Sequence, residues 1–266
     1  MYSKKLSHIT PVRGINDDGL GKKHALSKLI HASDTEYIWM HDDDVLLPSA
    51  AAEDYDVDQL SFASCDLLIL PLRMVSQSDS PSLLERLQIA EYAAIQNLTI
   101  SSAQNGHPVM CSGANLIARR EAWIECEPEL HPEIPSGDDM FLLEAMKRHS
   151  KAISVSTNIE YVATIRPLTT WRALWRQRTR WAGKAPHYTD RDIRRCGALT
   201  LLLLIMQAIC PILCFVYLPF EWKLINHYDF SHDKQFCFWD VLLLSFFYPY
   251  YALACVLGGV QRGKTW

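Results

Sequence analysis

Three short stretches of this 266-residue sequence hold side chains whose types and spacing suit chemistry on an anionic, oxygen-rich substrate. The first is Asp42-Asp43-Asp44, directly behind the apolar "YIWM". Adjacent carboxylates repel, so an acidic triplet beside a hydrophobic run costs folding energy unless something cationic lies there. Asp42 and Asp44 form a D-x-D arrangement. In extended backbone, residues i and i+2 point to one side, so both carboxylates can address one hard cation. Mg2+ or Mn2+ takes oxygen ligands but keeps water or phosphate in its shell, and two carboxylates plus a diphosphate meet that requirement. A solvated acidic turn is the plainer alternative. The second stretch is "SGDDM", where Asp139 opens a helix behind a glycine. A carboxylate there serves either as a helix cap or as a general base taking a proton from a hydroxyl. The third is "TTWRALWRQRTRWAGK", in which Trp171, Leu174, Trp175, Arg178 and Trp181 recur at three- and four-residue steps. That spacing predicts a basic, aromatic, amphipathic helix of the kind that lies at a membrane surface.

The elements that must position these groups read as α/β. Gly21 to Ser33 has Ala25, Leu29 and Ala32 at helical spacing, with Lys22 and Lys23 on a face that reads equally well as solvated. "YIWM" reads as a short buried strand with the acidic triplet at its carboxyl end, where open α/β sheets bind ligands. "CDLLILPLRM" is a second strand candidate. "SPSLLERLQIAEYAAIQNLTI" reads as a helix with Ser80 and Pro81 as its N-cap and first residue. "HPVMCSGANLIARREAW" reads as a strand, a small-residue turn at Ser112 and Gly113, then another strand or short helix. Asp138 and Asp139 fall in the first turn of the next helix, which the helix dipole favours. Met140, Phe141 and Leu142 behind them read as core. "KAISVSTNIEYVATI" is a further strand region. The β-α-β order predicts a mostly parallel sheet.

Charge is unevenly spread. Residues 1–170 carry 14 Lys/Arg against 24 Asp/Glu, whereas residues 171–195 carry 8 against 2. An acidic front and a basic collar ahead of an apolar tail fit a membrane-associated protein rather than a nucleic-acid binder. Gly197 to Phe220 is 24 uncharged residues and Val241 to Val260 is 20 more, each long enough to cross a hydrocarbon layer of roughly 30 Å. Pro211 and Pro249 are tolerated as kinks. Basic flanks place both ends in the cytoplasm, with the loop from Glu221 to Asp240 facing outward. Eight cysteines without a C-x-x-C pair suggest neither a disulfide framework nor a zinc site. The opening residues lack the apolar segment of a secretory leader, and the Asn97–Thr99 sequon then has little meaning.

Taken in order, these motifs resemble the processive-type family 2 glycosyltransferases, relatives of cellulose and hyaluronan synthases. The resemblance is carried by Gly21-Lys22 with Ala25-Leu26, Asp42-Asp43-Asp44, Gly113-Ala114-Asn115, Asp138-Asp139, and "QRTRW" from Gln177 to Trp181 ahead of apolar helices. It implies a GT-A-type α/β domain over residues 1–170, an interfacial segment over 171–195 and a transmembrane hairpin over 196–266. It further implies transfer of a sugar, with inversion, from a nucleotide-sugar donor (a UDP-sugar) to a glycan or lipid-linked acceptor at the inner or plasma membrane. By resemblance Asp42 and Asp44 hold Mg2+ or Mn2+. Lys22, Asp43, Gly113, Asn115 and Arg180 serve the donor and its diphosphate, and Asp139 is the catalytic base. Asp138, Gln177 and Trp181 serve the acceptor, and repulsion in the triplet is relieved only when the metal binds. Members of this family begin with two earlier strands that grip the base and ribose. Nothing in "MYSKKLSHITPVRGIND" matches them, so the chain reads as N-terminally incomplete. A catalytically inactive membrane scaffold of a glycan-assembly complex is the alternative, and a phosphohydrolase is disfavoured by scattered histidines.

Overall fold

The computed structural model describes residues 6–9, 21–47, 65–134, 136–228, 230 and 234–263. Strands β1 (Leu6–Ile9), β2 (Tyr37–Met40), β3 (Leu67–Ile69), β5 (Leu116–Arg119) and β6 (Ile153–Val155) form one sheet in the order β1-β2-β5-β3-β6. The short β4 (Leu72–Met74) and β7 (Ala163–Ile165) pair separately. Helices are α1 (Gly21–Ala32), α2 (Leu83–Gln104), α3 (Arg120–Cys126), α4 (Asp138–Arg148), α5 (Trp171–Ala182), α6 (Arg191–Ile209), α7 (Leu213–Ile225) and α8 (Phe238–Gly263). Contacts divide the chain into two compact units, Met1–Leu72 with Thr99–Thr164, and Arg73–Leu98 with Ile165–Trp266.

In the first unit, every residue of "YIWM" is buried, as an uninterrupted apolar strand should be. Tyr37 and Trp39 point to one face and join Cys65, Leu68, Leu70, Ile117 and Tyr161 in a core cluster. The sheet is mixed rather than mostly parallel. β1 runs parallel to β2 and β3 to β6, but β5 lies antiparallel between β2 and β3. The chain enters β5 at the end where β3 leaves, since the Leu70 N–H donates to the Asn115 carbonyl at 3.3 Å, so β5 must run back along β3. Strand β1 lies within the opening stretch that the sequence reading left without a strand. The buried face of α1 is Leu26 and Ile30, while Ala25 and Leu29 are half-buried and Ala32 is exposed. The expected register was therefore displaced by one residue. The strand expected before the Ser112–Gly113 turn is absent from the described residues there, and α3 follows β5 directly.

In the second unit, α2 starts not at Ser80-Pro81 but at Leu83, behind a capping box. The Ser82 N–H donates to Glu85 Oε2 at 2.8 Å and the Glu85 N–H to Ser82 Oγ at 3.3 Å. Those bonds from Ser82, with a third from Ser76, hold the Glu85 carboxyl below its ordinary range. Replacing Ser82 with Ala should cost about 1 kcal/mol. Thermal unfolding should record that as a fall of about 2–4 °C.

The apolar run Gly197 to Phe220 is not one helix. Pro211 lacks an amide hydrogen, and the chain breaks between Ile209 and Leu213 into α6 and α7. Only α8, over the 24 residues Phe238–Gln261, is long and apolar enough among the described residues to cross a membrane. The loop from Glu221 to Asp240, expected to face outward, is hydrogen-bonded to residues 73–98. Asn97 accepts from the Tyr228 N–H at 2.7 Å, Gln235 bonds both backbone groups of Ser76, and Arg86 donates to the Asp240 carboxylate at 3.1 Å. Asn97 is 1% exposed, so its side chain serves as a bonding group within the fold.

Helix α5 packs on α8 through glycines. A Cβ on Gly259 would meet the Gly183 nitrogen at 2.7 Å and the Thr179 oxygen at 2.9 Å. Gly259→Ala should overpack this seam and destabilise the fold by about 1–3 kcal/mol, seen as a lower unfolding midpoint in detergent.

Candidate active site

Lys22 and Lys23 lie in the first turn of α1, where the helix dipole disfavours cations. Both find oxygen partners, so neither is part of a merely solvated face. The Lys22 ammonium donates to Asp42 Oδ1. Burial opposes its charge, but Asp42, assisted by Asp138 and Asp139, outweighs that and raises its pKa. One ammonium thus feels carboxylates nearly a hundred positions apart. Lys23 Nζ donates to the Leu130 and His131 carbonyls at 2.6 and 2.7 Å and lies 5.1 Å from the Phe141 ring centre. It fastens the loop leading into α4. Within that loop His131 holds a left-handed φ of 51°, which is uncommon outside glycine.

The acidic triplet is a turn rather than extended backbone. β2 ends at Met40, Asp43 and Asp44 occupy the turn, and the Val45 N–H reaches back to the Asp42 carbonyl at 3.3 Å. A two-way bridge between Leu46 and Thr164, 2.9 Å each way, pins the far side. Alternation along a strand therefore does not set the directions of Asp42 and Asp44. Asp42 is half-buried, and Asp43 and Asp44 are exposed. Repulsion in the triplet is partly offset by Lys22, so relief does not wait for a metal.

Asp139 is not the helix cap. That position belongs to Gly137, whose φ of 95° suits glycine. The Asp139 carboxylate instead accepts from the Gly113 N–H through Oδ2 at 3.1 Å and from the Met140 N–H through Oδ1 at 2.8 Å. Both oxygens are oriented, and the side chain joins the Gly113 turn to α4. Beneath it, the Cys111 thiol donates to the Asp139 carbonyl at 3.2 Å, and burial, with the Asp139 charge, pushes that thiol's pKa well up. Burial of Asp138, then the neighbouring charge of Asp139, raises the Asp138 pKa against the pull of Lys22 and Lys23.

Asn115 is 1% exposed, and its amide is engaged within the core. Its Oδ1 accepts from Trp39 Nε1 at 2.8 Å, and its Nδ2 donates to the Pro71 and Tyr161 carbonyls at 2.8 Å each. It shapes the turn carrying Gly113 from below.

Gln177, Arg180 and Trp181 belong to the second unit. Thr170 caps α5 by accepting from the Ala173 N–H at 3.2 Å, and the helix buries Leu174, Arg178 and Thr179. Arg180 is exposed, and Trp181 is 36% exposed. The buried arginine of "QRTRW" is Arg178. Its Nε and Nη2 donate to the Glu91 carboxylate at 3.1 and 2.6 Å, its Nη1 donates to Gln177 Oε1 at 2.9 Å, and its guanidinium sits 4.2 Å from the Trp181 ring centre. Burial opposes the Arg178 charge, and Glu91 more than restores it.

Sequence reasoning passed over Cys111 and Glu91, and gave Lys23 and Arg178 no role of their own. For Arg178 a signal existed: it stands four residues after Leu174, on the face that α5 buries. For Glu91, 87 residues from its partner, no local signal existed.

Among the described residues no three His, Cys, Asp or Glu side chains gather to hold a metal unaided. The donor chemistry nonetheless fits Mg2+ or Mn2+, which commonly take one or two carboxylates and draw the remaining ligands from substrate phosphates and water. Asp42 already holds a cationic group, the Lys22 ammonium.

Known proteins complete the picture. The chain is similar to the crystal structure of S. aureus TarS 1-349, at 12% identity and a TM-score of 0.35, over 92% of this chain and 70% of that one. The same protein in complex with UDP gives the same identity, coverage and TM-score. The crystal structure of a mycobacterial protein is similar at 16% identity and a TM-score of 0.31, over 61% of this chain and 50% of that one. No curated protein sequence matches. The family described as "Glycosyltransferase like family 2" matches residues 4–184, more than half of the chain, and the protein belongs to that family.

Proposed function

We propose that this protein is a membrane-anchored, metal-dependent, inverting glycosyltransferase. It moves a sugar from a UDP-sugar to a glycan or lipid-linked acceptor. The observation that carries the reading is the bond from the Lys22 ammonium to Asp42, with the charges of Asp138 and Asp139 acting on the same ammonium, within a chain of the glycosyltransferase-like family 2.

Asp139 is the base. Two backbone N–H groups orient its oxygens, leaving lone pairs to accept a proton from the acceptor hydroxyl. As that oxygen bonds to the anomeric carbon, the bond from carbon to diphosphate oxygen breaks and the diphosphate leaves with the electron pair. One such displacement inverts the carbon. Lys22 and Arg180 offset charge on the departing diphosphate, the kind of electrostatic assistance that is often the largest catalytic contribution. Mg2+ or Mn2+ bound by Asp42 and Asp44 would add Lewis acidity at the same diphosphate. Asp138, Gln177 and Trp181 contact the acceptor. α8 and the exposed apolar side chains of α6 and α7, Ile209, Phe215 and Phe220 among them, supply the membrane attachment.

The test is a screen of radiolabelled UDP-sugars on membranes carrying the full chain, with Mn2+ and then with EDTA. One donor should be consumed with label entering a glycan or lipid fraction, and EDTA should abolish it. Absence of turnover with every donor would favour the inactive scaffold.

A further inference from the structure

Glu91 and Arg178 form a buried ion pair that the chemistry above does not use. Their side chains are 8% and 7% exposed. Burying two charges gains little stability over an apolar pair of similar volume, so such a pair invites a search for what it specifies. The guanidinium plane points to an answer. Two of its nitrogens are fixed by Glu91, the third donates to Gln177, and its face covers one side of Trp181. A planar fork held at three nitrogens cannot swing without breaking bonds, and a lysine, with one point charge, cannot reproduce it. Two of the residues assigned to the acceptor, Gln177 and Trp181, are therefore braced by one group that is itself braced from α2. With the guanidinium on one face of the indole, the other face is the one that can accept the C–H side of a sugar ring.

We propose that Arg178 is a positioning residue, held by Glu91, that sets Gln177 and Trp181 for the acceptor sugar. This inference rests on the reading of those two residues as acceptor contacts.

The test uses the full chain in detergent, labelled with 5-fluorotryptophan, in variants R178K and E91L/R178M. The double variant replaces the pair with apolar side chains of similar volume, a change that buried pairs often tolerate, so it keeps the test open if R178K fails to fold. Of the eight tryptophan resonances, the one missing from W181F belongs to Trp181. Two readouts follow, the position of that resonance and the ratio of UDP released to water over sugar transferred to membrane acceptor. In folded R178K or E91L/R178M the Trp181 resonance should move by more than its linewidth. Hydrolysis should rise relative to transfer by about ten- to a hundredfold, the scale expected when a reacting group is misplaced by about 1 Å. A resonance that stays in place overturns the proposal. If W181A uncouples transfer but the Arg178 variants do not, the positioning role falls while the acceptor reading stands. If W181A itself leaves the ratio unchanged, the acceptor reading fails and takes the proposal with it.

Discussion

Asp139→Asn should lower sugar transfer by about 10²–10⁴-fold, the usual contribution of a positioned general base. The substitution removes the proposed proton acceptor while nearly preserving shape. Two N–H groups, from Gly113 and Met140, face the two carboxylate oxygens at 3.1 and 2.8 Å. Asparagine offers one oxygen and one NH2, so one of those amides loses its acceptor, at about 1–3 kcal/mol. That is too little to unfold a domain of ordinary stability, about 5–15 kcal/mol. Transfer and unfolding should therefore separate, with activity nearly gone and the folded fraction close to that of the unaltered protein. Initial rates on membranes, beside a thermal melt of purified protein, make the comparison. Turnover within a few-fold of the original would remove Asp139 from the chemistry.

The second large effect is on stability. Asn115→Leu should destabilise the protein by about 3–6 kcal/mol, because it strands three buried polar groups at roughly 1–2 kcal/mol or more each. The Trp39 indole N–H would lose its acceptor, and the Pro71 and Tyr161 carbonyls their donor. Leucine is close to asparagine in volume, so the loss reports on hydrogen bonding rather than on a cavity. A stability near that of the unaltered protein would mean these three bonds do not form. The same variant addresses the donor-pocket assignment made from the motif. A residue that only touched the donor would raise the donor KM and leave the melt unchanged.

These two residues show what was legible in the sequence. "GAN" and "SGDDM" announced themselves as small-residue and acidic turns beside predicted elements, and the structure joins them through one carboxylate and one backbone amide. That the asparagine faces inward was not legible, because its partners come from Trp39, Pro71 and Tyr161, each some 44 or more positions away. The strand "YIWM" was legible because an unbroken apolar run leaves few alternatives. The direction of β5 was not, since a strand's orientation follows from which neighbour it meets and not from its own composition. Register in α1 was misjudged for a local reason: its small apolar residues satisfy helical spacing on two adjacent faces, and only contact with the sheet selects Leu26 and Ile30. The helix break at Pro211 and the Ser82-Glu85 box were both written in the sequence. The first was read as a tolerable kink, and the second was overshadowed by the nearby Ser80-Pro81.

The pairing of Lys22 with Asp42 has a bearing on how such a site is kept ready between turnovers. An acidic loop without a counterion would be pushed apart by its own charges. Here the chain carries its own resident counterion on the first turn of a neighbouring helix. The fold thus partly neutralises this acidic turn from within, without calling on a bound cation.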